Sequence, residues 1–115
     1  MEILIKEVGK PFRTESVDKS TLNDLSWLQE KVGGFIECVH PIPNQAIMLV
    51  CNEEGKLMGL SPNLVIGGDI IAGDVVFCSY DEDGDSIGLT EEQIACIYDA
   101  VKSYRIIAIP PQPRT

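Results

Sequence analysis

The stretch Ala46-Ile47-Met48-Leu49-Val50-Cys51, followed at once by Asn52-Glu53-Glu54-Gly55-Lys56, decides the fold. An unbroken apolar run of this length, closed by turn residues, reads as a central strand. Leu57 to Leu60 continues outward from the turn, which gives a hairpin. Upstream, Phe35 to Val39 reads as a short strand joined to the central one through the His40-Pro41-Ile42-Pro43-Asn44 turn.

Further out, Glu2 to Val8 alternates around Ile3 and Ile5 and reads as a first strand, ended by Gly9-Lys10-Pro11. A polar stretch to Lys19 then leads to a helix. Thr21 can cap it, Asp24 favours its positive end, and Leu22, Leu25, Leu28 and Val32 recur at near-helical spacing before Gly33-Gly34 stops it. Ser61-Pro62-Asn63 and Gly67-Gly68 punctuate an irregular segment. Ile70-Ile71, Gly73 and Val75-Val76-Phe77-Cys78 give one more strand, with an internal glycine at a bulge or close contact. Thr90-Glu91-Glu92-Gln93 is a capping box, and Ile94, Ile97, Tyr98 and Val101 extend it into an amphipathic helix over residues 91–103. Ile106 to Ile109 adds a last strand. The order implies an α+β fold: a mostly antiparallel sheet of about five strands with two helices packed on one face. Residues 1–109 form one domain, and 110–115 a proline-rich C-terminal tail.

The chain has 115 residues, 44% of them hydrophobic, which suits a single domain with one core. No apolar run approaches the roughly 20 residues of a membrane helix, and the N-terminus lacks a signal-peptide pattern, so a cytoplasmic protein without a membrane partner is expected. Nine Lys and Arg against 18 Asp and Glu give a net charge of −9, a surface that repels long DNA or RNA and suits docking on a basic protein. Cys38, Cys51, Cys78 and Cys96 lack the paired close spacing of zinc sites or redox dithiols, and each lies in an apolar run. They read as reduced thiols used as small core residues.

Few constellations carry chemistry. Asp81, Asp83, Asp85 and Glu92 match positions 1, 3, 5 and 12 of a calcium-binding loop, but Ser86 stands where that loop needs glycine and a strand precedes it, so a solvated turn before a capped helix is the expectation and no metal or other cofactor is implied. His40 is the single histidine and sits in a turn, where an exposed surface role competes with pairing to a cysteine nucleophile. Gly33-Gly34 and Gly67-Gly68 lack the dinucleotide and phosphate-loop patterns and serve turns more simply. Trp27 either covers the sheet or faces a partner. If the chain holds a small nucleotide-like ligand, backbone amides near Gly67 and Gly68 with Lys56 or Arg105 are the candidate phosphate contacts, and a homo-oligomer is the natural way to build the pocket.

The segment from Leu22 to Val39, with its Val32-Gly33-Gly34-Phe35 junction, resembles an uncharacterised family, the domain of unknown function three-eight-four-six. Asn52-Glu53-Glu54-Gly55-Lys56-Leu57 with Leu60 and Asn63, Ile71-Ala72-Gly73-Asp74-Val75-Val76, and Gly88-Leu89-Thr90-Glu91-Glu92-Gln93-Ile94 extend the likeness across nearly the whole chain. The resemblance implies a small accessory protein of gut bacteria, phages or mobile elements, with no catalytic residues to carry over. With the acidic surface and the missing catalytic motif, the expected function is non-enzymatic binding, countering a host defence by docking on a host protein or sequestering a small nucleotide signal. An acidic nucleic-acid mimic and a small Cys/His enzyme are the alternatives.

Overall fold

The computed structural model describes residues 1–111. Among these, the chain forms β1 (Glu2–Lys6), β2 (Arg13–Ser16), α1 (Lys19–Leu22), α2 (Leu25–Val32), β3 (Ile36–Val39), β4 (Ile47–Asn52), β5 (Pro62–Ile66), β6 (Asp69–Ala72), β7 (Val75–Tyr80), β8 (Ser86–Ile87), α3 (Glu91–Lys102) and β9 (Ile106–Ala108). Every strand pair is antiparallel. The main sheet runs β2-β1-β7-β4-β3, with β8 added to β7, and a second sheet runs β6-β5-β9. The α+β class and the antiparallel sheet are therefore as the sequence implies, and among the described residues no helix is long and apolar enough to cross a membrane.

The placement of the helices differs from expectation. Along β1, β4 and β7 successive residues enter two different cores: Leu4, Leu49 and Phe77 pack with Ile97 of α3 and Leu64 and Ile106 of the small sheet, whereas Ile3, Val50 and Val76 pack with Leu22, Leu28 and Val32. So α1 and α2 cover one face of the main sheet, and α3 with the small sheet covers the other. Neighbouring strand residues point to opposite faces, and a strand apolar at every position is one with both faces buried. The unbroken run of β4 carried that meaning.

The strand count also rises, because one expected strand is two. Gly73, at φ +89°, breaks the apolar run, sending Ile71 and Ala72 into the small sheet and Val75 to Cys78 into the main one. A Cβ there would lie 2.8 Å from Leu60 Cδ1, so glycine serves both the turn and the packing. The supposedly irregular segment is the β5–β6 hairpin, turned by Gly67 (φ +59°) and Gly68 (φ +80°), two positive values in a row as a tight hairpin favours. The polar stretch before the first helix contains β2. Leu57 to Leu60 forms no strand.

A buried polar link joins the two sheets. Asn63 of β5 donates from Nδ2 to the carbonyls of Lys6 and Gly73, each at 2.8 Å, and accepts from Lys6 Nζ at 3.0 Å. Burial holds the Lys6 ammonium below its usual range, partly offset by Asp74. After β9, the Ile109 amide donates to the Asn63 carbonyl at 2.9 Å, and a Cβ on Gly9 would lie 3.6 Å from Pro111. The rest of the expected tail, residues 112–115, lies outside the described residues.

Candidate functional site

Where α2 hands over to β3, the chain builds an exposed apolar ridge. Gly33 adopts the left-handed conformation at φ +81°, and the amides of Gly33 and Gly34 both donate to the Gln29 carbonyl, at 2.8 and 3.0 Å. Asn52, at the end of β4, is buried and reaches back to the freed Val32 carbonyl at 3.2 Å. A Cβ on Gly34 would lie 2.9 Å from Asn52 Nδ2, so this approach requires the second glycine. On its other side, Asn52 Oδ1 accepts from the Glu54 amide at 2.8 Å and Nδ2 touches Met58 Sδ at 3.5 Å. Asn52 thus pins the 53–60 lobe against the helix end.

The result is apolar side chains where water should meet polar ones. Phe35 is 65% exposed, Leu57 87% and Met58 53%. A groove of about 370 Å³ runs between Phe35 and Met58, floored by Gly34 and Asn52. A second groove, of about 300 Å³, shares Asn52 and Glu54 with the first and is lined by Glu37, Glu53, Lys56, Asp69 and Ile70 among others. Lys56 is committed to Asp69, with Nζ 2.6 Å from Oδ1, and that hydrogen bond holds the Asp69 carboxyl below its usual range. Glu37, Glu53 and Glu54 make no ion pair among the described residues. The ridge is therefore bordered by uncompensated negative charge.

The candidate phosphate contacts do gather. The β5–β9 register, which pairs Ile66 with Ile106, puts Arg105 one step on beside Gly67, and Lys56 is bonded to the residue after Gly68. Gly67, Gly68 and Arg105 are all exposed, at one end of the small sheet. For an anion the surroundings are poor, since the neighbouring groove carries four carboxylates and its lysine is already paired. The calcium-like loop is a closed turn instead: Asp81 Oδ1 accepts from the amides of Asp83 and Asp85, both at 3.0 Å, and Lys19 bridges Asp81 and Asp85 at 3.6 and 3.3 Å. Glu92 sits in the first turn of α3.

His40 is exposed and packs edge-on against Tyr80, with ring centres 5.5 Å apart. Burial pushes the Cys78 thiol up to about 12, and burial with the nearby Glu37 carboxylate pushes Cys51 up to about 11. Cys38 is raised too, by burial first. These thiols are held away from the thiolate form that a nucleophile needs. Trp27 is half-buried against the α1–α2 core, under Lys31 Nζ at 5.3 Å from its ring centre.

The residues that sequence reasoning passed over are Phe35, Asn52, Leu57 and Met58. A signal was present, since Leu57 and Met58 lie between Gly55 and Gly59 in a stretch too rich in turn residues to bury them. No curated protein and no solved structure matches the chain. A family model does, over residues 1–102, and it takes in both the ridge and the acidic groove. The chain belongs to the family described as Domain of unknown function (DUF3846).

Proposed function

We propose that this chain is a non-catalytic binding module that docks on a protein partner through the Phe35–Leu57–Met58 ridge. The observation that carries the reading is the exposure of Phe35 and Met58 on one groove, with Leu57 exposed next along the chain on the lobe that the buried Asn52 holds in place. Phenylalanine and methionine are enriched at protein interfaces, and a contiguous apolar patch left in water marks a surface that something covers. The bordering Glu37, Glu53 and Glu54 suit a partner with a basic rim. In the phage or mobile-element setting that the family resemblance implies, the partner is a host protein and the docking counters a host defence.

Sequestration of a small nucleotide is the weaker reading, because the paired Lys56 and the surrounding carboxylates oppose an anion. A phosphate-mimicking face is also disfavoured, since Glu7, Glu15, Asp81 and Asp85 are drawn into ion pairs with lysine or arginine. The test compares tagged wild-type chain with Phe35→Asp/Leu57→Asp and with a control at an exposed side chain that lines neither groove, Tyr104→Asp. A protein that binds the wild type and the control, and loses at least tenfold in affinity for the ridge variant when purified, supports the reading. Equal binding to all three, or a nucleotide recovered with the native chain in its place, overturns it.

A further inference from the structure

The main sheet ends in two unlike edges. At one end β2 carries Arg13 and Glu15, tied to Glu7 and Lys31, charges of the kind that keep another strand from pairing. At the other end β3, Ile36-Glu37-Cys38-Val39, has neither lysine nor proline, and Glu37 and Cys38 are exposed. Its backbone polarity is fixed by one bond. The Phe35 carbonyl accepts from the Glu53 amide at 2.8 Å, so Phe35 points its polar groups at β4, and by alternation so does Glu37. The N–H and C=O groups of Ile36 and Cys38 therefore point away from the sheet, where no strand pairs with them among the described residues.

We infer that β3 is a docking edge that receives an extended, basic segment of the partner as an additional antiparallel strand. This inference rests on the docking function proposed above and specifies its mode. A strand added there exchanges backbone hydrogen bonds with Ile36 and Cys38 and places its intervening residue opposite Glu37. Such a pair is the non-hydrogen-bonded kind, with Cα atoms about 4.5 Å apart and side chains at their closest. Glu37 faces the groove that also holds Glu53 and Glu54, so the residue opposite it is selected to be lysine or arginine. The same strand, continued past Ile36, reaches Phe35 and Met58, where an apolar side chain fits the neighbouring groove.

A second copy of this chain is a poor occupant. Antiparallel pairing of β3 with itself preserves the sheet faces, so its centre falls on Glu37 or on Cys38. The first register sets two Glu37 carboxylates face to face, and in either register two chains of net charge −9 must meet.

The probe is a short acetylated and amidated peptide of alternating valine and lysine, titrated into the full chain at low salt. A valine–glutamate peptide and a valine–lysine peptide N-methylated at alternate residues serve as controls. The expected result is slowed amide exchange at Ile36 and Cys38 with the lysine peptide, at least tenfold weaker binding of the glutamate peptide, and loss of binding in one N-methylation register only. Glu37→Lys should cut the affinity about tenfold without shifting the unfolding midpoint. Equal binding of the two charge types, or indifference to N-methylation, overturns strand addition. So does a dimer in the free chain with Ile36 and Cys38 already protected. If those amides stay unprotected while Phe35→Asp/Leu57→Asp still abolishes partner binding, strand addition fails and the docking function stands.

Discussion

Cys38, Cys51, Cys78 and Cys96 read alike in the sequence, each inside an apolar run, yet they occupy different environments: Cys51 and Cys78 are buried, Cys96 is half-buried and Cys38 is exposed. The difference is one of strand position, which a single sequence does not encode, since β3 lies at an edge while β4 and β7 are central. A thiol-reactive disulfide reagent should therefore modify Cys38 first in the native chain, and Cys51 and Cys78 only on unfolding; rapid native labelling of Cys78 would contradict its burial. The raised thiols also tie stability to pH. A thiol that ionises near 9.0 when unfolded and near 12 when folded favours the fold fully below about pH 9, and this contribution declines as pH climbs toward 12. The stability gap between wild type and Cys78→Ala should narrow by up to about 2 kcal/mol between about pH 9 and 10.5, at 1.36 kcal/mol per unit, as urea titrations at each pH would show.

Among the elements, α3 was the most legible. Thr90 Oγ1 accepts from the Gln93 amide at 3.1 Å, Gln93 Oε1 accepts from the Thr90 amide at 2.9 Å, and the helix runs from Glu91 to Lys102 with Ser103 as its C-cap. A capping box announces itself in four residues. The sequence gives no hint that Gln93 Nε2 also donates to Ser79 Oγ, at 3.1 Å, and to the Ala46 carbonyl, at 3.3 Å, tying the helix start to β7 and to the approach to β4. Thr90→Ala should cost about 1 kcal/mol, and Gln93→Ala at least as much, both read from urea midpoints. The first helix was less legible because two capping residues compete: Asp24, not Thr21, accepts from the Ser26 amide, at 2.9 Å, and the chain breaks into α1 and α2 at Asn23. At Gly73 a backbone turn with positive φ separates two strands of different sheets. Gly73→Ala should destabilise by more than about 1 kcal/mol, since the backbone strain adds to the contact with Leu60.

For the whole molecule, the order of strands and helices foretold an α+β chain but not its layering. Whether the apolar strands formed one core or two depended on which helix took which face, and that is a matter of topology rather than periodicity. The acidic net charge was legible in the sequence, whereas the ridge of Phe35, Leu57 and Met58 arises from the meeting of segments far apart in sequence, arranged by Asn52. The two sheets are held together by Lys6 and Asn63, neither exposed by more than 3%. Asn63→Leu leaves the Lys6 ammonium buried with a single carbonyl acceptor, at Glu7, and should cost about 3 kcal/mol. Lys6→Met combined with Asn63→Leu should recover much of that loss in the same unfolding measurement, because no buried charge is then stranded.

Because α1 and α2 lie over one side of β1, β4 and β7 while α3 and the small sheet lie over the other, these three strands have almost no residue that looks outward. In a saturation screen of every position for retained fold, intolerance to polar replacement should run as solid blocks through residues 3–5, 47–51 and 75–78, and not skip every second residue as it does in a sheet with one wet side.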